Sequence, residues 1–122
     1  MSDEFLKVAR QEIQSEIDSL KAIFLTCIND EQFYEKSRDI EKHMHKIKGL
    51  APMMGQDKVG EIARISDIIL KHSISYGVLK GSHDIISEAV KIMNQIFNED
   101  ADIEVDDFRK RVISIYSDIT GF

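Results

Sequence analysis

Apolar residues recur every three or four positions along nearly the whole chain, which is the spacing of one face of an α-helix. No stretch shows the strict alternation of apolar and polar residues that is typical of a β-strand. The pattern is interrupted at Asn29 and Asp30, which can cap a helix, and again at glycines. It predicts five helices, over about residues 2–28, 31–54, 57–71, 82–97 and 106–119.

The connections between these helices are short, so consecutive helices should pack antiparallel. Gly55 is well placed to end the second helix in a left-handed conformation, and Pro52 should kink it slightly before that point. A chain of 122 residues favours one domain with one core. We therefore predict an all-α protein in which residues 1–122 form an antiparallel up-and-down four-helix bundle with an additional C-terminal fifth helix.

One histidine is predicted to point away from the protein. The apolar stripe of the second predicted helix consists of Phe33, Ile40, Ile47 and Met54. Because successive residues of a helix are rotated by about 100°, His45 lies roughly 140° from the middle of this stripe. The His45 imidazole should therefore face water.

Charge and composition narrow the classes of function. The net charge of −6 argues against nucleic acid as the main partner, and no apolar run is long enough to span a bilayer. The lone Cys27 cannot form an internal disulfide, so a cytoplasmic protein is the default expectation. Residues 36–48 nevertheless carry five cations against two anions, which suits an anionic group arriving at one place. An ordinary solvated helix face would have the same composition.

An exposed neutral imidazole is a good nucleophile near pH 7, and its attack on a phosphoryl donor gives a phosphoramidate. Nearby cations should offset the charge of the phosphate, and Lys48, three residues after His45, is a helical neighbour. Gly49 lies four residues after His45, where a larger side chain would crowd the phosphate or an incoming partner. These residues suggest a phosphoryl-accepting histidine.

The same residues resemble a known family. His45-x-x-Lys48-Gly49, followed by Gly55, is similar to the signature of histidine phosphotransfer (HPt) domains. More narrowly, residues 45–55 (HKIKGLAPMMG) resemble the N-terminal phosphoacceptor domain of the chemotaxis histidine kinase CheA, which commonly reads His-Thr-Ile/Leu-Lys-Gly-x-Ala-x-x-Met-Gly. About a dozen residues carry the specificity of this resemblance.

The resemblance implies that His45 is the phosphorylated residue, Lys48 its electrostatic neighbour and Gly49 the position that gives clearance. A glutamate of the third helix usually orients the histidine ring in the CheA type. Asp67 occupies the matching position and is one methylene shorter, so it should steer the ring directly or through a water. Arg64 replaces a second histidine that is often found one turn earlier, and it should contact the phosphate or pair with Asp67.

The resemblance also implies the partners, which are a histidine kinase catalytic domain and a response-regulator receiver domain. The chain has no glycine-rich nucleotide loop, so it is expected to be a phosphoryl carrier without an ATP site or cofactor of its own. Neither nucleic acid nor membrane is an expected partner. A free-standing relay protein outside chemotaxis, or a helical interaction module with a fortuitous motif, remains an alternative.

His43 is the obvious rival of His45. It lies roughly 200° from His45 around the helix and beside the apolar stripe, so we expect it to pack at a boundary between helices. The opposite projections of the two histidines argue against a metal ion shared between them. The chain also lacks the repeated Glu-x-x-His pairs of di-metal bundles, and no metal site is predicted.

Overall fold

The structure is a computed structural model, and it describes residues 2–122. Every regular element in this range is helical. Six α-helices and one 3₁₀ turn follow each other in the order α1 Asp3–Phe24, α2 Asp30–Glu35, α3 Ser37–Leu50, the 3₁₀ turn Pro52–Met54, α4 Asp57–Tyr76, α5 Ser82–Glu99 and α6 Val105–Ile115. The predicted all-α class is confirmed.

Side chains at the starts of two helices satisfy backbone donors that lack helical partners. The hydroxyl of Ser2 accepts from the Phe5 amide at 3.1 Å and begins α1. The side chain of Asn29 accepts from the Gln32 amide at 2.8 Å and begins α2, as the capping pattern predicted. α1 itself ends at Phe24, short of the predicted end at Cys27 or Ile28.

The predicted second helix is divided into α2, α3 and the 3₁₀ turn. At the first break, Lys36 leaves helical geometry and the Ser37 hydroxyl donates to the Tyr34 carbonyl at 2.7 Å, in competition with the backbone ladder. At the second break, Pro52 has no amide to donate, so α3 ends at Leu50 rather than kinking. Gly55 then adopts the predicted left-handed conformation, with φ of 77°.

The helices with the most extensive mutual contacts are α3 and α4, and α1 and α5 complete the set that packs around the core. The predicted apolar stripe faces inward, since Phe33 of α2 and Ile40 and Ile47 of α3 are fully buried. α6 packs against α4. The largest buried side chains come from five different helices and include Ile13, Ile17, Leu20, Phe33, Met44, Ile62, Ile69 and Phe108. No helix in residues 2–122 is both long and apolar enough to cross a membrane.

The 3₁₀ turn lies directly on α4 because Gly60 has no side chain. A Cβ at Gly60 would lie 2.8 Å from Cγ and 2.9 Å from Cδ of Pro52, both far inside contact distance. We expect Gly60→Leu to push the turn off α4 and lower the free energy of unfolding by about 2–3 kcal/mol. Urea denaturation measures this loss.

The matched control is Gly49→Leu, the same change on α3. A Cβ at Gly49 meets nothing within 4 Å, so this variant should be at least as stable as the unmodified protein. Equal stability of the two leucine variants would contradict the proposed close packing of Pro52 on Gly60.

Candidate functional site

His45 projects from the outer face of α3, as predicted. Its side chain is 57% exposed, whereas Met44 and Ile47 on either side are completely buried. Its Nδ1 atom faces the protein, 3.5 Å from Oδ2 of Asp67 and 3.8 Å from Oε1 of Glu41. Both carboxylate contacts are therefore made by Nδ1, and Nε2 is the ring nitrogen left for an incoming group.

Asp67 lies on α4 beneath the imidazole, and its side chain is only 2% exposed. Lys48 Nζ donates to its Oδ2 at 2.9 Å, and Lys71 Nζ lies 3.0 Å from the same oxygen. The 3.5 Å separation from His45 Nδ1 is longer than a strong hydrogen bond. Asp67 thus binds the two lysines closely and the imidazole only loosely. This agrees with aspartate being one methylene shorter than the glutamate expected at this position.

The charge of Asp67 is stabilised despite its burial. Burial alone raises the pKa of this carboxyl, but the hydrogen bonds from Lys48 and Lys71 outweigh it and the pKa lies below its usual value. The same contact raises the pKa of Lys71. Asp67 is therefore a carboxylate that gathers two ammonium groups next to His45, where they can balance a phosphoryl charge.

Glu41 is a member of the site that the sequence did not single out. Its side chain is 19% exposed, and it reaches His45 from one helical turn earlier on α3. Burial, followed by the neighbouring Asp67 carboxylate, raises the pKa of Glu41. The spacing of four residues between Glu41 and His45 was the available signal, because side chains four apart on a helix are neighbours.

Gly49 provides open space one turn after His45. It is exposed on α3, and a Cβ there would meet nothing within 4 Å. Protein packing therefore does not require a glycine at this position. Clearance for an external group remains the reason suggested by the sequence.

Arg64 pairs with Glu61 rather than with Asp67, and its contact with a phosphate stays a prediction. Its guanidinium binds Glu61, with Nη2 2.6 Å from Oε1, and donates to the carbonyls of Gly121 and Phe122 at 2.6 Å each. The expectation of a pairing with Asp67 is wrong, because the chain after α6 returns to α4 and offers Arg64 these partners. Arg109 joins the same cluster through Glu61 Oε1 at 2.7 Å.

The Arg64 cluster has a consequence for acid stability. Hydrogen bonds from Arg64, and then from Arg109, lower the pKa of Glu61 to about 2, against an ordinary value of 4.5. A group whose folded pKa is lowered stabilises the protein above its unfolded pKa, and the contribution disappears as the pH falls from about 4.5 to about 2. A shift of this size corresponds to ~3 kcal/mol, which screening at a 29% exposed side chain reduces to roughly 1–2 kcal/mol.

We therefore expect Glu61→Gln to unfold about 1–2 kcal/mol more easily at pH 7. The difference from the unmodified protein should shrink as the pH falls below about 4.5. Urea unfolding at pH 7, 4 and 3 measures it. Glu35→Gln, an equal charge change at an exposed position of α2, is the control and should cause little change. A pH-independent loss in Glu61→Gln would contradict this account.

His43 occupies a different face from His45, as predicted. Its Nδ1 contacts Oε2 of Glu16, a buried carboxylate of α1, and Lys46 Nζ lies 3.4 Å from the other oxygen of Glu16. Burial raises the pKa of Glu16, but the contacts with His43 and Lys46 lower it further than burial raises it. His43 thus ties α3 to α1, while His45 stays accessible.

The structure also brings metal-ligating residue types together at the base of His45. Glu41, His45 and Asp67 each offer one ligand atom within 4.8 Å of the others. From the sequence we weighed a metal ion shared by His43 and His45, which the opposite faces of α3 prevent, and the Glu-x-x-His pairs of di-metal bundles, which the chain lacks. The three-residue cluster arises because α4 carries Asp67 to the histidine from another part of the chain.

Comparisons of this chain with protein families, with curated proteins and with solved structures find no match.

Proposed function

We propose that the protein is a phosphoryl carrier that accepts a phosphoryl group on His45 and passes it to an aspartate of a response-regulator receiver domain. One observation carries the proposal: an exposed imidazole lies beside two lysines gathered by a buried carboxylate. Its resemblance to HPt domains of the CheA type supports the same reading. On this proposal α1, α3, α4 and α5 correspond to the four antiparallel helices of such a bundle, with α6 as the additional helix.

The geometry suggests how the transfer proceeds. Carboxylates at Nδ1 favour the tautomer with the proton on Nδ1, which leaves a lone pair on Nε2. That lone pair attacks the phosphorus, an Nε2–P bond forms, and the P–O bond to the donor breaks. Lys48 and Lys71, which bind the Asp67 oxygen that faces the ring, would offset the added negative charge.

The phosphoryl donor and acceptor belong to other domains on this proposal. A histidine kinase catalytic domain would supply the phosphate from ATP, and Mg²⁺ would accompany the ATP or the acidic pocket of the receiver. Partially buried Leu50 and exposed Pro52 would form part of a weak, transient docking surface. Chemotaxis signalling is the context that the CheA-like motif favours.

Phosphosite mapping tests the proposal. The chain is incubated with a CheA-type catalytic domain and ATP, and the modified residue is located by mass spectrometry. The expected product is a phosphoramidate on His45 that is labile in acid and stable in base. A receiver domain added afterwards should remove it. Absence of any adduct with an active kinase would instead favour the helical interaction module.

A further inference from the structure

The Nδ1 side of His45 has the composition and spacing of a metal site. Nδ1 lies 3.5 Å from Oδ2 of Asp67 and 3.8 Å from Oε1 of Glu41. Two ligand atoms held about 2.0–2.2 Å from one tetrahedral ion are roughly 3.3–3.6 Å apart. Both distances are too long for strong hydrogen bonds, and one ligand atom from each of Glu41, His45 and Asp67 lies within 4.8 Å of the others, so small side-chain movements would bring all three onto one ion.

A second observation concerns Asp67 itself. Its Oδ1 atom is buried and has no hydrogen-bond partner among residues 2–122, although Oδ2 binds both lysines. A buried carboxylate oxygen without a partner is unfavourable and calls for an explanation such as a bound ion. Asp67 can therefore keep its lysines on one oxygen and offer the other to a ligand.

Charge decides which ion fits. Glu41 and Asp67 place two carboxyls side by side at Nδ1 of His45. Two lysines already neutralise the charge of Asp67, so electrostatic attraction alone would bind a further cation only weakly. The ion must gain from direct ligation by an imidazole nitrogen, which favours Zn²⁺ and related transition metals over Mg²⁺ and Ca²⁺.

We propose that Glu41, His45 and Asp67 bind a divalent transition-metal ion such as Zn²⁺, and that the bound ion prevents phosphorylation of His45. With the metal on Nδ1, the single proton of a neutral imidazole must lie on Nε2. Nε2 then has no lone pair for attack on phosphorus. The metal site stands independently of the proposed function, whereas the inhibition rests on it.

Calorimetric titration of the full chain with ZnCl₂, in chelator-treated buffer, tests the binding without any phosphoryl donor. One ion should bind per chain. Glu41→Gln removes one ligand and should weaken binding by at least about tenfold, since even outer-shell changes have effects of that size. Its control is Glu35→Gln, which removes the same charge from an exposed position of α2 and should bind normally.

The histidine ligand is tested in the same way. His45→Gln should lose the site, whereas His72→Gln, a partly exposed histidine of α4, should keep it. MgCl₂ in place of ZnCl₂ should produce no binding at the same concentration. Zn²⁺ affinity that is equal in Glu41→Gln and Glu35→Gln, or unaffected by His45→Gln, would overturn the site.

Inhibition is measured separately, as kinase-dependent phosphorylation of His45 with and without Zn²⁺. The unmodified chain should lose labelling as the site fills. Labelling of Glu41→Gln, relative to its own rate without metal, should respond to Zn²⁺ only at higher concentrations, which separates the effect from inhibition of the kinase. Zinc binding without phosphorylation under any condition would refute the proposed function and leave the metal site. Normal phosphorylation of a zinc-loaded chain would refute the inhibition.

Discussion

His45→Gln should abolish phosphorylation of the protein and leave its fold intact. Glutamine has no nucleophilic ring nitrogen, so no phosphoramidate can form at this position. The wild-type side chain is 57% exposed and makes only long contacts with Glu41 and Asp67. Its loss should therefore change the free energy of unfolding by less than about 0.5 kcal/mol. Kinase-dependent labelling and urea denaturation of the same preparation measure the two effects.

His43→Gln is the matched control, and its effects should be the opposite. His43 contacts the buried Glu16, so its removal leaves that carboxylate with Lys46 at 3.4 Å as its remaining cation. Losing a partner of a buried charged group typically costs about 1–3 kcal/mol. The His43→Gln variant should be less stable yet fully labelled. Labelling of His45→Gln at the wild-type level would show that another residue carries the phosphate and would refute the assignment of His45 as the phosphorylated residue.

The exposure of His45 could be predicted because it depends on local geometry alone. Once Phe33, Ile40 and Ile47 are recognised as the buried stripe, the rotation per residue fixes the side on which His45 lies. The interruption between α2 and α3 was harder to predict from the sequence. It depends on one hydroxyl, that of Ser37, competing for a backbone carbonyl, and no change in hydrophobic pattern accompanies it.

The surroundings of His45 were only partly predictable, because they depend on contacts between distant segments. Asp67 lies where the resemblance places an orienting carboxylate, but its shorter side chain makes the lysines its closest partners. The orientation of the Arg64 side chain depends on how the segment after α6 packs back against α4, since its partner Phe122 is 58 residues away. Nothing in the local sequence around Arg64 specifies that contact.

Gly49→Leu should slow phosphoryl exchange with a receiver domain while the protein itself becomes no less stable. Glycine within a helix is about 0.8–1 kcal/mol less favourable than alanine, and leucine is nearly as good a helix former as alanine. Since a Cβ at Gly49 meets nothing within 4 Å, the substitution should keep most of this gain. The free space one turn from His45 is therefore expected to serve a partner rather than the fold.

The expected loss in kcat/KM for transfer from phosphorylated Gly49→Leu to the receiver is about tenfold to a hundredfold, the scale of a displacement of about 1 Å at a reacting centre. Gly49→Ala should fall between the leucine variant and the wild type, because the obstruction grows with side-chain size. Hydrolysis of the phosphoramidate without a receiver is the control and should be unchanged. Transfer by Gly49→Leu at the wild-type rate would show that partners do not use this space. It would refute the proposed role of Gly49 without affecting that of His45.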